Sequence, residues 1–384
     1  MAKAKNKKEK IDRIGGIIAL LIIAVSTFIG FQRKAESREN IVKEFFPNIR
    51  ITQNLSSDLF IFTEDKKDGA NYLGTGKVDG YAGELSVAVV IDSDKKISKV
   101  VCIEDRETPS FIERINRRKF TSEFNKLSIE DSFESVEWPD AITGATYTTE
   151  AITLAVQKAT GELRESQFGL SDWVPVRERF KWEIRYTILI LVFVLAWLMI
   201  YKWFPLRKQM RWVLLIFNMV FLGFWFSKQL SISQISRLLS GDFPSLHSHL
   251  CFYLLLGGTL LMILLLNKNL YCDRICPFGA AQQCINAISG TKRHPINGKG
   301  FLVWFQRILV LLVISASLIL QNPTRFNYEI FSAFFKLIGT VFQFSLLIIV
   351  LLSSLFLVRP WCNILCPIKP VTDFVKMVRC WVTS

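Results

Sequence analysis

Apolar runs long enough to cross a bilayer are the strongest constraint on this chain of 384 residues. A hydrocarbon core of about 30 Å takes about 20 helical residues. Such runs fall at 14–31, about 186–203, 212–226, about 250–266, 301–320 and about 335–358. They explain why 51% of the residues are apolar and why Phe and Trp are abundant. The formal charge of +14 would suggest nucleic acid in a soluble protein. Here the basic residues cluster at the ends of the apolar runs, so they orient the chain in a membrane, and nucleic acid is rejected as a partner. The expected fold is an integral membrane protein of six transmembrane helices with one inserted extracytoplasmic α+β domain.

Charge also sets the expected topology. Lys3, Lys5, Lys7, Lys8 and Lys10 put a disordered tail, residues 1–13, in the cytoplasm. The run 14–31 reads as an uncleaved anchor, because Gln32-Arg33-Lys34 follows it in place of a small-residue cleavage site. Residues 33–178 then lie outside, and 186–384 form a five-span core that returns the C-terminus to the cytoplasm. Arg177, Arg179, Lys181 and Arg185 depart from the rule, being basic yet outside, and Glu178 and Glu183 offset them in part. The location expected is a bacterial cytoplasmic membrane.

The outer segment reads as mixed α+β. Strands are expected at 84–90 and 96–103, joined by a turn at Asp92-Ser-Asp-Lys95, with helices at 110–127 and 149–165. Near its end stands Asp140-Ala-Ile-Thr143-Gly144-Ala145-Thr146-Tyr-Thr148-Thr149. As plain residues these suit a turn followed by a helix start.

Thr143-Gly144-Ala145-Thr146 resembles the S/T-G-A-T flavinylation signature of FMN-binding domains in Rnf and Nqr respiratory complexes and NosR-type membrane proteins. The resemblance implies covalent FMN, its phosphate esterified to Thr146 by a dedicated flavin transferase, with Asp140 and the small residues beside it. Thr148 is the competing hydroxyl. Upstream, Gly80-Tyr-Ala-Gly83, the two strands and Glu107-Thr108-Pro109 follow the order seen in such domains. By analogy Glu107 and Thr108 line the flavin. Thr108-Pro109 reads equally well as a capped helix start, and both readings can hold.

Six of the eight cysteines fall on the expected cytoplasmic side, where disulfides are not the purpose of thiols. Cys102 lies in the outer domain and Cys251 near the outer end of a span. Cys272-Asp-Arg-Ile-Cys276-Pro277 and Cys362-Asn-Ile-Leu-Cys366-Pro367 repeat one pattern, each after an inward-running span. Four residues apart, two thiolates share one helical face, and two such pairs could close a four-cysteine site. Cys-Pro also ends the cluster-binding runs of bacterial ferredoxins. An iron–sulfur centre, [4Fe-4S], is the favoured occupant, and zinc is the alternative. Cys284 and Cys380 read as plain residues.

Cys272 to Gln282, with Gln229-Leu-Ser-Ile232 upstream, is similar to the membrane core of NosR/NirI proteins and NapH-type quinol-oxidation subunits. The layout looks most like the RdhC (PceC/CprC) group associated with reductive dehalogenation: an anchor, an outer FMN domain, five more spans and two CxxxCP motifs. The chain departs from NosR in having no C-x2-C-x2-C-x3-C run, and Leu266 to Tyr271 replace the usual glycine-rich lead-in. The resemblance implies an electron-transfer component rather than a stand-alone enzyme. Electrons from the quinone pool or a cytoplasmic donor, such as a ferredoxin-type partner, would reach an extracytoplasmic or membrane-associated reductase through FMN. About 30 Å of hydrocarbon separates the expected centres, so a quinone, a partner subunit or a further cofactor must bridge them. Haem is not expected, since the histidines number three: His247, His249 and His294. The rival readings are a NosR/NirI-like redox-sensing regulator and a maturation factor for a partner reductase. No helix-turn-helix or kinase-like output region is visible in support of the regulator.

Overall fold

A computed structural model describes residues 2–34, 49–56, 59–64, 71–80, 83–105, 107, 109–125, 127–130, 138–142, 146–170, 182–201, 206–290 and 299–383. They belong to two compact units. One comprises Met1–Ile29, Arg179–Ile319 and Phe326–Ser384; the other comprises Gly30–Glu178 and Leu320–Arg325.

In the first unit, α1 (Ala2–Lys34) is one continuous helix. The basic tail expected to be disordered is therefore its opening turns, because Ala, Lys and Glu are strong helix formers. Its start is docked: Arg307 donates to Asp12 at 2.6 Å, and Arg13 lies 5.7 Å over the Trp381 ring. Gly16 permits that approach, since a Cβ there would sit 2.7 Å from Met377 and 2.8 Å from Trp381.

Three helical stretches, Lys10–Gln32, His249–Leu266 and Gly300–Ile319, are long and apolar enough to cross a membrane. Two more, α4 (Ile184–Leu198) and α11 (Val341–Ser354), are apolar but shorter. The run expected at 212–226 is composite. Twelve residues of α5 (Arg207–Asn218) pass into seven of π-helix, Met219–Trp225. The remaining helices are α6 (Ile232–Leu239), α7 (Leu246–Leu266), α8 (Pro277–Ile288), α9 (Lys299–Ile319), α10 (Phe331–Phe335), α12 (Pro360–Ile364) and α13 (Ile368–Thr383).

Two connections fold back into the bundle. Ser227, at φ 45°, turns the chain after the π-helix. Ile232 then packs on Val310, Ile314 and Leu318 of α9. Residues 326–340 return in the same way, and Gln343 pins them through the carbonyls of Asn327 and Glu329. Both connections belong to the outer side of the expected topology.

The second unit is a five-stranded antiparallel meander in the order β1 (Ile49–Ser56), β2 (Leu59–Glu64), β3 (Asn71–Asp79), β4 (Glu84–Ile91) and β5 (Ile97–Asp105). The two strands expected from sequence are β4 and β5. Their turn is closed by Asp92, whose side chain accepts from the N–H groups of Asp94 and Lys96. The helix expected over 110–127 is shorter. α2 (Pro109–Arg117) ends, Lys119 goes left-handed at φ 53°, and a 3-10 turn runs over Phe120–Phe124. α3 (Thr146–Phe168) crosses β3 and β4 with its apolar stripe Ile152, Ala155, Ala159 and Leu163 fully buried. Gly74 and Gly76 make that crossing tight, because a Cβ on Gly76 would lie 1.9 Å from the Ala155 carbonyl oxygen.

Candidate functional site

In the sheet unit, the candidate flavin site gathers at the start of α3. Thr146 is the first residue of the helix. Free backbone N–H groups and the positive end of the helix dipole favour a phosphate at such a position. Thr143, Gly144, Ala145 and Thr108 lie outside the described residues, as does the side chain of Thr146. Their flanks are defined. The Ile142 N–H donates to Thr149 Oγ1 at 3.2 Å, which brings the two described flanks together. Asp140 is exposed.

Glu107 is 1% exposed, and its Oε2 accepts from Thr148 Oγ1 at 3.3 Å. Gly80 lies against the other carboxylate oxygen, where a Cβ would come within 1.9 Å. Gly80 in turn donates to the Gly83 carbonyl at 2.8 Å. The Glu107 carbonyl accepts from Thr324 Oγ1 at 2.7 Å. Thr324 itself is set by Asn322, which accepts from its N–H and hydroxyl. The pairings of Thr148 with Glu107 and of Thr149 with Ile142 were not legible in the sequence, nor was Thr324, which arrives from more than 200 positions away. The arrangement fits FMN: a helix start for the phosphate, a glycine-lined edge and a buried acid to orient the ring or its side chain.

In the helical unit, all four motif cysteines line one cavity of about 250 Å3. The two motifs adopt the same turn. The Cys276 N–H donates to the Tyr271 carbonyl at 2.7 Å, and the Cys366 N–H donates to the Trp361 carbonyl at 2.8 Å. An aromatic residue, buried to 2% and 1% exposure, thus precedes each first cysteine. Proline at the first position of α8 then aims helix N–H groups at the second cysteine, since it needs no donor of its own.

Residues from one motif brace the other. Arg359 donates to the Cys272 carbonyl at 2.7 Å and to the Asp273 carbonyl at 3.2 Å. Gln282, wholly buried, accepts from the Trp361 N–H at 3.0 Å and donates to Cys362 Sγ at 3.5 Å. Gln306 donates to the carbonyls of Cys362 and Cys366 at 3.3 and 2.7 Å. Tyr328, Phe331, Phe278 and Trp361 form an aromatic wall with ring centroids 5.6 to 6.1 Å apart. Leu230 and Phe331, from the two folded-back connections, complete the lining.

Burial raises the pKa of all four thiols, pushing Cys276 up to about 11. The charge of Cys362 adds to the rise at Cys276, Cys272 and Cys366. N–H donors oppose it: Asn269 at Cys272, Phe278 and Gly279 at Cys276, Gln282 at Cys362 and Lys369 at Cys366. Arg359 and Lys369 stand at the same cavity, and four thiolates gathered there favour a further positive core between them. Among the described residues no three His, Cys, Asp or Glu side chains are grouped to hold a single metal ion. Thiols set around a cavity, each with an N–H donor, fit a multi-atom cluster better than one tetrahedral zinc.

Family models agree with both sites. The FMN-binding domain matches residues 80–161. The 4Fe-4S binding domain matches residues 248–295 and 340–380, which contain both cysteine pairs. No curated protein matches the chain significantly. The chain carries an FMN-binding domain and a 4Fe-4S binding domain, the makings of a flavin and iron–sulfur electron-transfer protein. Its long apolar helices make membrane association part of that description.

Proposed function

We propose that this is a membrane flavoprotein that moves electrons between the quinone pool or a cytoplasmic donor and an extracytoplasmic reductase. Covalent FMN on Thr146 and a [4Fe-4S] cluster on Cys272, Cys276, Cys362 and Cys366 would be its two carriers. The observation that carries the reading is the convergence of both cysteine pairs on one cavity in a chain that also holds the flavin domain.

Bound FMN takes two electrons and releases them singly, which is what joins a quinol to a one-electron cluster. The chain's own residues do the holding. Thr146 offers the hydroxyl for the phosphate, Thr148 fixes the Glu107 carboxylate, and Gly80 leaves room beside it. At the cluster site Arg359, Gln282 and Gln306 lock the two motifs together, and the aromatic cluster packs behind the second motif. A flavin transferase would install the FMN. Six spans, with the sheet unit outside and both termini inside, remain the topology that best fits the charges. The folded-back connections support it, because they supply loop residues to the cluster cavity without an added span.

Thr148 is 1% exposed and bonded to Glu107, which favours Thr146 as the acceptor hydroxyl. In-gel flavin fluorescence of the denatured full chain, made with a flavin transferase, tests the assignment. Wild type should fluoresce and Thr146→Ala should be dark. A fluorescent Thr146→Ala beside a dark Thr148→Ala moves the linkage to Thr148. A dark wild type removes the covalent flavin and advances the sensor or maturation readings.

A further inference from the structure

Glu329 is a buried acid that neither cofactor site uses. It lies in the connection between α9 and α11, outside the spanning helices, and is 3% exposed. Its carboxylate accepts from Ser231 Oγ at 2.5 Å and from the Ile232 N–H at 2.8 Å, and the Asn327 side chain also bonds it. All of these partners are neutral. The charged residues on the elements packed around it are Lys228 before α6, Arg237 and Asp242, which pair at 3.1 Å, and Lys336 after α10. None of them is among the groups that shift Glu329. Burial alone pushes its pKa up, to about 7, against the pull of the three hydrogen-bond donors. Capping α6 does not need this charge, since Ser231 already accepts from the Ser233 N–H there. An ionisable group buried with no counter-ion among the described residues is costly and marks a function.

Its position indicates which function. The preceding residue, Tyr328, donates to the Leu365 carbonyl at 2.9 Å, on the peptide that leads into Cys366. The Tyr328 hydroxyl feels the charges of both Glu329 and Cys366. On the other arm, Ser231 follows Leu230, whose N–H donates to the Tyr271 hydroxyl at 3.1 Å, beside Cys272. One hydrogen-bonded arm thus runs from Glu329 to each cysteine motif, and Glu329 bonds to no cysteine.

We propose that Glu329 is the proton acceptor coupled to the four-cysteine centre, binding one proton from solvent on its carboxylate when the centre gains one electron from its donor. No bond within the chain breaks, and the added negative charge is cancelled by the proton taken up on Glu329. This rests on the cluster assigned above.

The test is an EPR-monitored redox titration of the purified full chain, with dithionite as reductant, from pH 5.5 to 8.5. Deprotonation at higher pH disfavours the reduced state, so the wild-type midpoint should fall as pH rises. The slope approaches 59 mV per tenfold change in proton concentration. Glu329→Gln should abolish the slope. A chain without iron or an EPR signal removes the cluster and this proposal together. A cluster that titrates with a pH-independent midpoint in wild type overturns the proton coupling alone, as does a Glu329→Gln chain that keeps the slope. Should Glu329→Gln fail to fold, Ser231→Ala serves. Losing that hydroxyl donor should move the sloping region to higher pH, and an unmoved region refutes the idea.

Discussion

Replacing Gly76 by Ala should cost the protein its flavin. The added Cβ would stand 1.9 Å from the Ala155 oxygen and 2.8 Å from its carbonyl carbon. A comfortable carbon–oxygen contact is about 3.3 Å or more, so α3 must retreat from β3 by about 1.4 Å. Both sides of the clash are backbone in regular structure, and no side chain can swing away. Overpacking of this kind costs about 1–3 kcal/mol, and the upper end applies here. The retreat also draws Thr148 away from Glu107, whose 3.3 Å hydrogen bond is already long. Thr146 moves with the helix. Covalent flavin per chain, read by in-gel fluorescence of the full protein made with a flavin transferase, should drop to a tenth or less. Iron content should hold, because the cysteines belong to the other unit. Fluorescence within twofold of wild type, with unchanged thermal unfolding, would falsify the tight crossing of α3 over β3.

Further consequences attach to other residues. Gln282→Leu strands the buried Trp361 N–H at a cost of about 1–3 kcal/mol and removes the donor to Cys362 Sγ. Iron per chain should fall, and any remaining cluster should titrate at a lower potential, since that donor favours the more negative reduced state. Arg359→Ala breaks the two bonds to the Cys272 and Asp273 carbonyls, a loss of about 1.5–3 kcal/mol for a charged donor. Faster iron loss to a chelator is the expected readout, and equal rates would dismiss the brace. Glu329 makes stability depend on pH. Its pKa is about 7 when folded against 4.5 in a model group, so the folded chain binds more protons between those values. Stability conferred by this group is therefore greatest below about pH 4.5, declines as pH rises to 7 and is level above. The amplitude is at most about 3 kcal/mol. Unfolding midpoints of wild type and Glu329→Gln from pH 5 to 8 should diverge accordingly.

Much of this was legible in the sequence because it depended on spacing. Apolar runs announce helices by length alone. The four cysteines announce a site because the pattern occurs twice. The hairpin at Asp92 and the strands beside it follow from local turn chemistry. What stayed hidden depends on returns of the chain. Glu329, Ser231 and Leu230 sit in connections that read as ordinary loops, and no local pattern says that they fold back into the bundle. Thr324 meets Glu107 across more than 200 positions, beyond any periodicity. Tyr271 and Trp361 were readable in principle, since each directly precedes a first cysteine, but two different aromatics do not register as a repeat. The π-helical stretch Met219–Trp225 escaped as well, because its apolar residues suit an α-helix equally.

The two cysteine pairs are separated in the chain by α8, α9, α10 and α11, and that separation sets an order of manufacture. The first pair leaves the ribosome long before the second, so the proposed cluster cannot be closed until the second pair has been made. Loading is therefore a late event, and it rewards only chains whose halves have already met. A chain that misses the proposed cluster forgoes the stabilisation that any tightly bound group confers on the folded state. Such chains are the ones membrane proteases remove first. With the proposed cluster in place, the supply of iron would bear on how much of this protein a cell retains.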